Sequence, residues 1–353
     1  MTDDGLVDSP QIRWDIGTAY DFFISLIVLQ SPETYGLRPS WAAGVRSRLP
    51  ADERKFLEET REFNHVPMNW IHRLPAPKDA ATALWVMRQT PPEKRLFETN
   101  NMHECEGVRE ILLDVATRRS YNQEDVEALK ETIRKCDKSA KVKLVNRMLD
   151  WYSRPDEYGE LYLRSLQSYY QNFFAEEEKR VAPFLKAGLE QAQEMAQKMS
   201  VMELVKTLSQ GVQFKEALNY PELVLTPSFW CTPFLIWDYE PEKQMLLVFG
   251  CRPADISLIP GEEVPDSVLR VLKALADPSR LQIMRYLAEE NLNSAQLAQR
   301  LRLRAPTVIH HLEILRSAGL VYIDIDEGNK RYTARKEAIH ATFDNLEAYL
   351  ENQ

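Results

Sequence analysis

The chain has 353 residues, a formal net charge of -9 and four cysteines, Cys105, Cys136, Cys231 and Cys251, with no C-x-x-C pair or regular spacing. Such a length exceeds one ordinary domain and supports a sizeable core, while the scattered thiols exclude a disulfide framework or zinc ribbon and the acidic balance excludes a chain that coats nucleic acid or anionic membrane with its whole surface. No basic segment followed by an apolar run opens the sequence, and its most apolar stretch, residues 22–29, is far short of the roughly 20 residues of a membrane span, so a soluble cytoplasmic protein is expected.

Residues 20–210 read as helix after helix, because apolar side chains recur at three- and four-residue steps between breaks marked by Pro or Asn. Phe22, Phe23, Leu26, Ile27 and Leu29 predict a strongly buried first helix. Val108, Ile111, Leu112 and Val115 mark another, as do Leu144, Met148, Trp151 and Tyr152. Residues 190–198, rich in Gln and Glu, predict a solvated helix face. The seven tryptophans all fall within residues 1–257, where most are expected in the core.

From Leu223 the period changes. LVLTPSFW, PFLIWDY and MLLVFG read as strands, the last two pairing as a hairpin over residues 234–239 and 245–249. A segment with Pro253, Pro260, Gly261 and Pro265 has the composition of a linker. The expected division is a helical N-terminal regulatory domain over residues 1–257, with a short β segment near 222–250, and a second domain over residues 266–353.

Charge separates the same two parts. Residues 1–265 carry the whole net charge of -9, whereas residues 266–353 hold 12 basic and 12 acidic side chains; within them, residues 300–336 hold eight basic and four acidic ones. That stretch is where a nucleic-acid footprint is sought first.

After the linker, Val268, Leu269, Leu272 and Leu275 predict one apolar helix face. Asp277 and Pro278 begin the next helix, an N-terminal acceptor followed by a residue with no N–H to leave unpaired, and Leu281, Met284, Leu287 and Ala288 are expected to face inward. Asn293 or Ser294 caps a third helix. Pro306 opens a fourth with Val308, Leu312 and Leu315 inside, and Gly319 closes it. Val321, Ile323 and Ile325 then alternate as a strand, Glu327, Gly328 and Asn329 turn, and residues 330–334 return. The final helix carries Ile339, Phe343, Leu346 and Leu350 in one stripe, more apolar surface than an uncovered terminal helix needs.

The run ALADPSRLQIMRYLAEENLNSAQLAQRLRLRAPTVIHHLEILRSAGLVYIDIDEGNKRYTAR resembles the ArsR-type winged-helix repressors: the Asp-Pro-x-Arg start, the Pro-Thr-Val-x-x-His-Leu recognition helix and the Ala-Gly-Leu-Val exit all match at the family's spacing. The YDFFISLIVLQSPETYGL and LVLTPSFWCTPF segments are similar to the helical domain of a subgroup of such regulators. The resemblance implies a mainly α protein, a large helical N-terminal domain with a small β-hairpin or sheet followed by a C-terminal winged helix-turn-helix, that represses transcription as a homodimer on double-stranded DNA.

A helix fits the major groove, with side chains near its start on base edges and neighbouring cations on phosphates. Thr307 and His310 lie off the core face of the recognition helix, with His311 at its margin. Arg302 and Arg304 precede it, and Lys330 and Arg331 sit on the wing. Leu269, Leu272, Phe343, Leu346 and Leu350 are the dimerisation candidates. Two positions depart from the family, Arg304 and Ile309, where it often carries Ser. The acidic Asp324, Asp326 and Glu327 also stand where the family's wing tends to be basic.

No metal or cofactor is expected. Residues 291–301 lack the family's cysteines, the last helix offers only His340, Asp344 and Glu347, and adjacent residues such as His103, Glu104, Cys105 and Glu106 diverge around a helix. No phosphate-binding loop, G-x-S-x-G elbow or H-E-x-x-H motif occurs, so an enzyme is not expected. A small-molecule effector is a candidate partner for the aromatic-rich large domain. An enzyme or a protein-interaction adaptor tethered to a winged helix is the alternative.

Overall fold

The computed structural model describes residues 10–100, 107–136, 142–262, 264–326 and 329–351. The cluster of His103, Glu104, Cys105 and Glu106, and the wing-turn residues Glu327 and Gly328, lie outside the described residues. In chain order the elements are β1 (Gln11–Trp14), α1 (Thr18–Gln30), a 3-10 turn (Pro32–Tyr35), α2 (Pro39–Arg46), α3 (Ala51–Thr60), α4 (Met68–His72), α5 (Ala80–Gln89), α6 (Pro92–Thr99), α7 (Val108–Arg118), α8 (Gln123–Cys136), α9 (Val142–Tyr152) and α10 (Pro155–Tyr169). A π turn (Tyr170–Phe174) leads to α11 (Ala175–Ala196), α12 (Val201–Leu208), β2 (Val212–Phe214), β3 (Glu222–Ser228), β4 (Leu235–Glu240) and β5 (Gln244–Gly250). The chain ends with α13 (Asp266–Leu275), α14 (Pro278–Glu289), α15 (Ser294–Leu301), α16 (Ala305–Ser317), β6 (Val321–Asp326), β7 (Asn329–Ala334) and α17 (Lys336–Glu351). The protein is mainly α. Among the described residues no helix is long and apolar enough to cross a membrane.

Helix α1 is apolar on nearly every side and lies in the middle of the large core, with Tyr20, Phe22, Ile24 and Val28 fully buried, as such a helix must. Its one carboxylate, Asp21, is also fully buried and accepts from the Ser228 hydroxyl at 2.6 Å and the Trp230 and Phe229 amides at 2.8 and 3.2 Å. Burial nevertheless pushes its pKa up to about 6. The pairing ties α1 to the end of β3.

Strand order in the first sheet is β1-β3-β5-β4. The predicted hairpin is present as antiparallel β4 and β5, with Leu235 opposite Phe249. Sequence periodicity gives no sign of β1, four residues long, nor of the parallel placement of β3 between β1 and β5. Position explains the apolar run of β3, since a central parallel strand is covered on both faces.

The second sheet crosses the boundary expected near residues 258–265. Its order is β2-β6-β7, with Val212 opposite Ile323 and Phe214 opposite Ile325 in parallel register. Gly211 makes this approach possible: its φ is +114°, and a Cβ there would stand 2.6 Å from the Tyr322 ring. Val212, Phe214 and Ile325 share a core cluster with Leu225, Leu247 and Phe249, so the wing packs onto the first sheet.

The Pro-rich connection is not a loose tether. Asp266, 6% exposed, accepts from Arg252 Nη1 at 3.1 Å, Ser257 Oγ at 3.0 Å and the Leu258 amide at 2.7 Å. Buried polar groups need such partners, and these fix the path into α13. Its Pro content shapes the segment rather than freeing it.

Two predicted faces are corrected by this packing. In α13 the inner side chains are Val268, Val271 and Ala274, while Leu269 is 37% exposed, because the helix also turns Arg270 toward the Tyr35 carbonyl. In α14, Ile283 joins Met284 and Leu287 inside and Leu281 is left 51% exposed. Trp85 and Trp237, expected in the core with most of the tryptophans, are exposed as well.

Candidate nucleic-acid interface

Local signals build the C-terminal helices. Asp277 accepts from the Arg280 amide at 2.9 Å, with Pro278 in the first turn. Asn293 and Gln296 form a reciprocal capping box at α15, each side chain meeting the other's amide at 2.9 Å. Arg302 ends α15 in the left-handed region, and Gly319, φ +69°, follows α16.

Helix α16 begins at Ala305, with Pro306 in its first turn and Arg304 as an extended N-cap residue whose side chain makes no cap bond. Val308, Leu312 and Leu315 are buried against α14 and α15. On the opposite side Arg302, Arg304, Thr307, Ile309 and His310 are exposed. The turn and the first turns of the helix thus gather two arginines, a hydroxyl, an imidazole and an apolar side chain on one open face. The N-terminal amides of this helix add a positive end to it.

His311 lies at the margin. Its Nδ1 is shielded and has no partner, and desolvation holds its pKa below the ordinary imidazole value against the opposing pull of Asp277. Lys330 and Arg331 are exposed on β7, opposite Ile325 and Asp324, and the backbone of Tyr332 beyond them pairs with Leu292. None of Arg302, Arg304, Lys330 and Arg331 has an ion-pair partner among the described residues. Their charges face solvent.

Three other basic residues of the 300–336 stretch are already engaged. Arg300 grips Glu290 with two hydrogen bonds of 2.9 and 2.7 Å. Arg316, 7% exposed, donates from Nη2 to the Ser209 carbonyl at 2.9 Å, and Arg335 donates to the Gln210 carbonyl at 3.1 Å. Both reach the C-terminal end of α12, where helix carbonyls attract cations. Sequence reasoning counts these two arginines with the footprint, because nothing local distinguishes a docking arginine from a phosphate-binding one.

The dimerisation candidates occupy α13 and α17, which pack on each other. Phe343 and Leu350 are 52% and 66% exposed, Leu269 is exposed, and Leu272 and Leu346 are half-buried. Together they leave an apolar surface at the end of the chain. His340, Asp344 and Glu347 are exposed on the same helix, and among the described residues no group of three or more His, Cys, Asp or Glu side chains could hold a metal ion.

Residues 277–322 match the model of the bacterial regulatory protein arsR family. The chain is 37% identical over 57 residues to an uncharacterised HTH-type transcriptional regulator of Methanocaldococcus jannaschii, covering 16% of this chain and 64% of that one. It is 37% identical over 73 residues to the biofilm growth-associated repressor of Agrobacterium fabrum, covering 20% and 62%. It thus spans less than two thirds of the length of these relatives. Among solved structures, an ArsR-like transcriptional regulator from Rhodococcus is 28% identical over 23% of this chain and 77% of that one, with a TM-score of 0.22. A homodimeric winged helix-turn-helix DNA-binding domain from Mycobacterium bovis is 27% identical over 25% and 83%, with a TM-score of 0.21. The matched residues run from the cap of α14 into β6, and the C-terminal module of this chain is a winged helix-turn-helix of the ArsR type.

Proposed function

We propose that the chain is a DNA-binding transcription regulator, a repressor by default, in which residues 266–353 bind a palindromic operator as a homodimer and residues 1–257 respond to a non-metal effector. The observation that carries this reading is the open face at the start of α16, bearing Arg302, Arg304, Thr307 and His310 without ion-pair partners among the described residues. With α16 in the major groove, Thr307 and His310 reach base edges, and the exposed Ile309 offers an apolar contact of the kind a thymine methyl takes. Arg302, Arg304, Lys330 and Arg331 hold phosphates, His311 adds a DNA contact from the helix margin, and the acidic large part stays off the duplex.

Apposition of α13 and α17 across a two-fold axis, through Leu269, Leu272, Phe343, Leu346 and Leu350, sets two recognition helices about 34 Å apart, one DNA turn. Regulation then consists of biasing that spacing. The N-terminal part is joined to the module by strand pairing and by two arginines at the junction, so an effector that prefers one arrangement changes operator affinity by its differential binding. A gel shift with the region upstream of the chain's own gene, against unrelated competitor DNA, tests the reading. Retention of a discrete complex under competition supports it, and indifference to both DNAs at low salt refutes it.

A further inference from the structure

A cavity of about 280 Å³ opens beside the C-terminal half of α1. Phe23, Leu26 and Ile27 of α1, Leu57 of α3 and Tyr162 of α10 give it apolar walls, and Arg61 and His65 stand exposed at its rim. Its volume falls just below the usual range for ligand pockets, about 300–1,000 Å³, which suits a small compound, and polar side chains, Ser31, Thr60, Glu62 and Asn64 among them, line it beside the apolar walls. One of those groups lacks a mate. Gln30 lines the cavity, and its Oε1 is shielded from solvent with no hydrogen-bond partner. A buried acceptor in this state is unfavourable until a donor reaches it.

Gln30 is also the last residue of α1, next to the part of the chain that touches the winged helix. After Ser31 comes the 3-10 turn Pro32–Tyr35, which packs against α16. The Tyr35 ring meets Phe234 edge-on at 4.9 Å, and Phe234 lies 5.9 Å beneath the Arg316 guanidinium at the far end of α16. The Tyr35 carbonyl accepts from Arg270 of α13 at 3.4 Å. Gly36, φ +76°, lets the arginine stem lie flat on the backbone, since a Cβ there would stand 2.3 Å from Arg270 Cδ. One short turn therefore contacts both the recognition helix and the first helix of the module, and it begins one residue beyond the cavity wall.

We propose that this cavity is a binding site for a small apolar compound carrying a hydrogen-bond donor, a hydroxyl or an N–H, that pairs with Gln30 Oε1, and that occupancy is passed through the Pro32–Tyr35 turn to α16 and α13. The consequence for operator binding rests on the regulatory reading above; the binding and its transmission do not. An apolar body replaces water along Phe23, Leu26, Leu57 and Tyr162, and rotation of the Gln30 amide into the cavity brings its oxygen to the donor. Both changes act on the last turn of α1, the point from which the 3-10 turn leaves.

The test uses the full chain and two matched probes, 2-naphthol, which donates, and 2-methoxynaphthalene, which does not. Calorimetry is expected to show saturable binding of one 2-naphthol per chain, with the methoxy compound weaker by about tenfold. Leu26→Trp, which fills the cavity, abolishes binding of both, and Gln30→Leu erases the preference between them. Absence of saturable binding, or binding indifferent to both substitutions, overturns the site. Hydrogen exchange with and without 2-naphthol is expected to change over residues 32–36 and 305–317, and binding with no such change overturns the transmission. Binding and altered exchange in a chain that retains no duplex uphold the cavity and its link while refuting the DNA-binding reading.

Discussion

Replacing Arg316 by Met should leave the protein at least as stable as before. The guanidinium is 7% exposed, has no ion-pair partner among the described residues, makes one hydrogen bond, to the Ser209 carbonyl, and leaves Nη1 buried without an acceptor. Burial lowers its pKa to about 10. The side chain stays charged at neutral pH, so a depressed value in the folded state means that folding disfavours the charge it must carry there; at about 1.4 kcal/mol per pKa unit the cost is on the order of 3 kcal/mol. Loss of the charged donor to Ser209 returns about 1.5–3 kcal/mol of that, which leaves a change between about zero and a gain of about 1.5 kcal/mol for an unbranched side chain of similar length. Urea unfolding followed by tryptophan fluorescence should therefore show a midpoint unchanged or shifted to higher urea, at unchanged slope. A fall in stability of more than about 1 kcal/mol would refute the claim that this cation is buried at a net cost.

Replacing Lys330 and Arg331 together by Gln should flatten the dependence of duplex affinity on salt by about 0.9 in log–log slope for each phosphate that is no longer neutralised, read by fluorescence anisotropy from 50 to 200 mM salt; an unchanged slope removes both from the interface. Phe343→Asp combined with Leu350→Asp should convert a dimer to a monomer in light scattering while leaving the melting of the monomer fold intact, because both side chains are exposed within the chain. His311 has its pKa lowered by desolvation, so its contribution to stability is full above the unfolded value near 6.5 and is lost as pH falls through the folded one. Melting from pH 7.5 to 5 should accordingly show His311→Gln losing less stability than the unmodified chain, and parallel profiles would contradict the assignment.

The C-terminal helices are legible in the sequence because short-range chemistry sets their ends. Asp277 with Pro278, Asn293 with Gln296, and Gly319 act within one turn of where they stand, and the spacing of Val308, Leu312 and Leu315 fixes which side of α16 remains open. What stays hidden depends on partners far along the chain. Strand β2 is three residues long and acquires its place only through β6, more than a hundred residues later. The rotation of α13 follows from Asp266 and Arg270 finding polar partners in residues 252–258 and at Tyr35. Leu281 belongs to a helix whose inner face is turned away from it, with Ile283 taking the buried place. In the candidate interface, position is readable from periodicity, but the division of arginines between solvent and junction is not. Arg302 and Arg316 look alike until Ser209 is brought beside one of them.

The biological role turns on whether the start of α16 meets DNA. The most direct measurement is fluorescence anisotropy of a labelled duplex from upstream of the chain's own gene, titrated at low salt with the full chain and with Thr307→Ala/His310→Ala. The expected result is saturation at two chains per duplex for the unmodified protein and a weakening of about 1–3 kcal/mol for each side chain withdrawn from a base edge. Equal affinity of the two proteins for the duplex, or no binding by either, would contradict it.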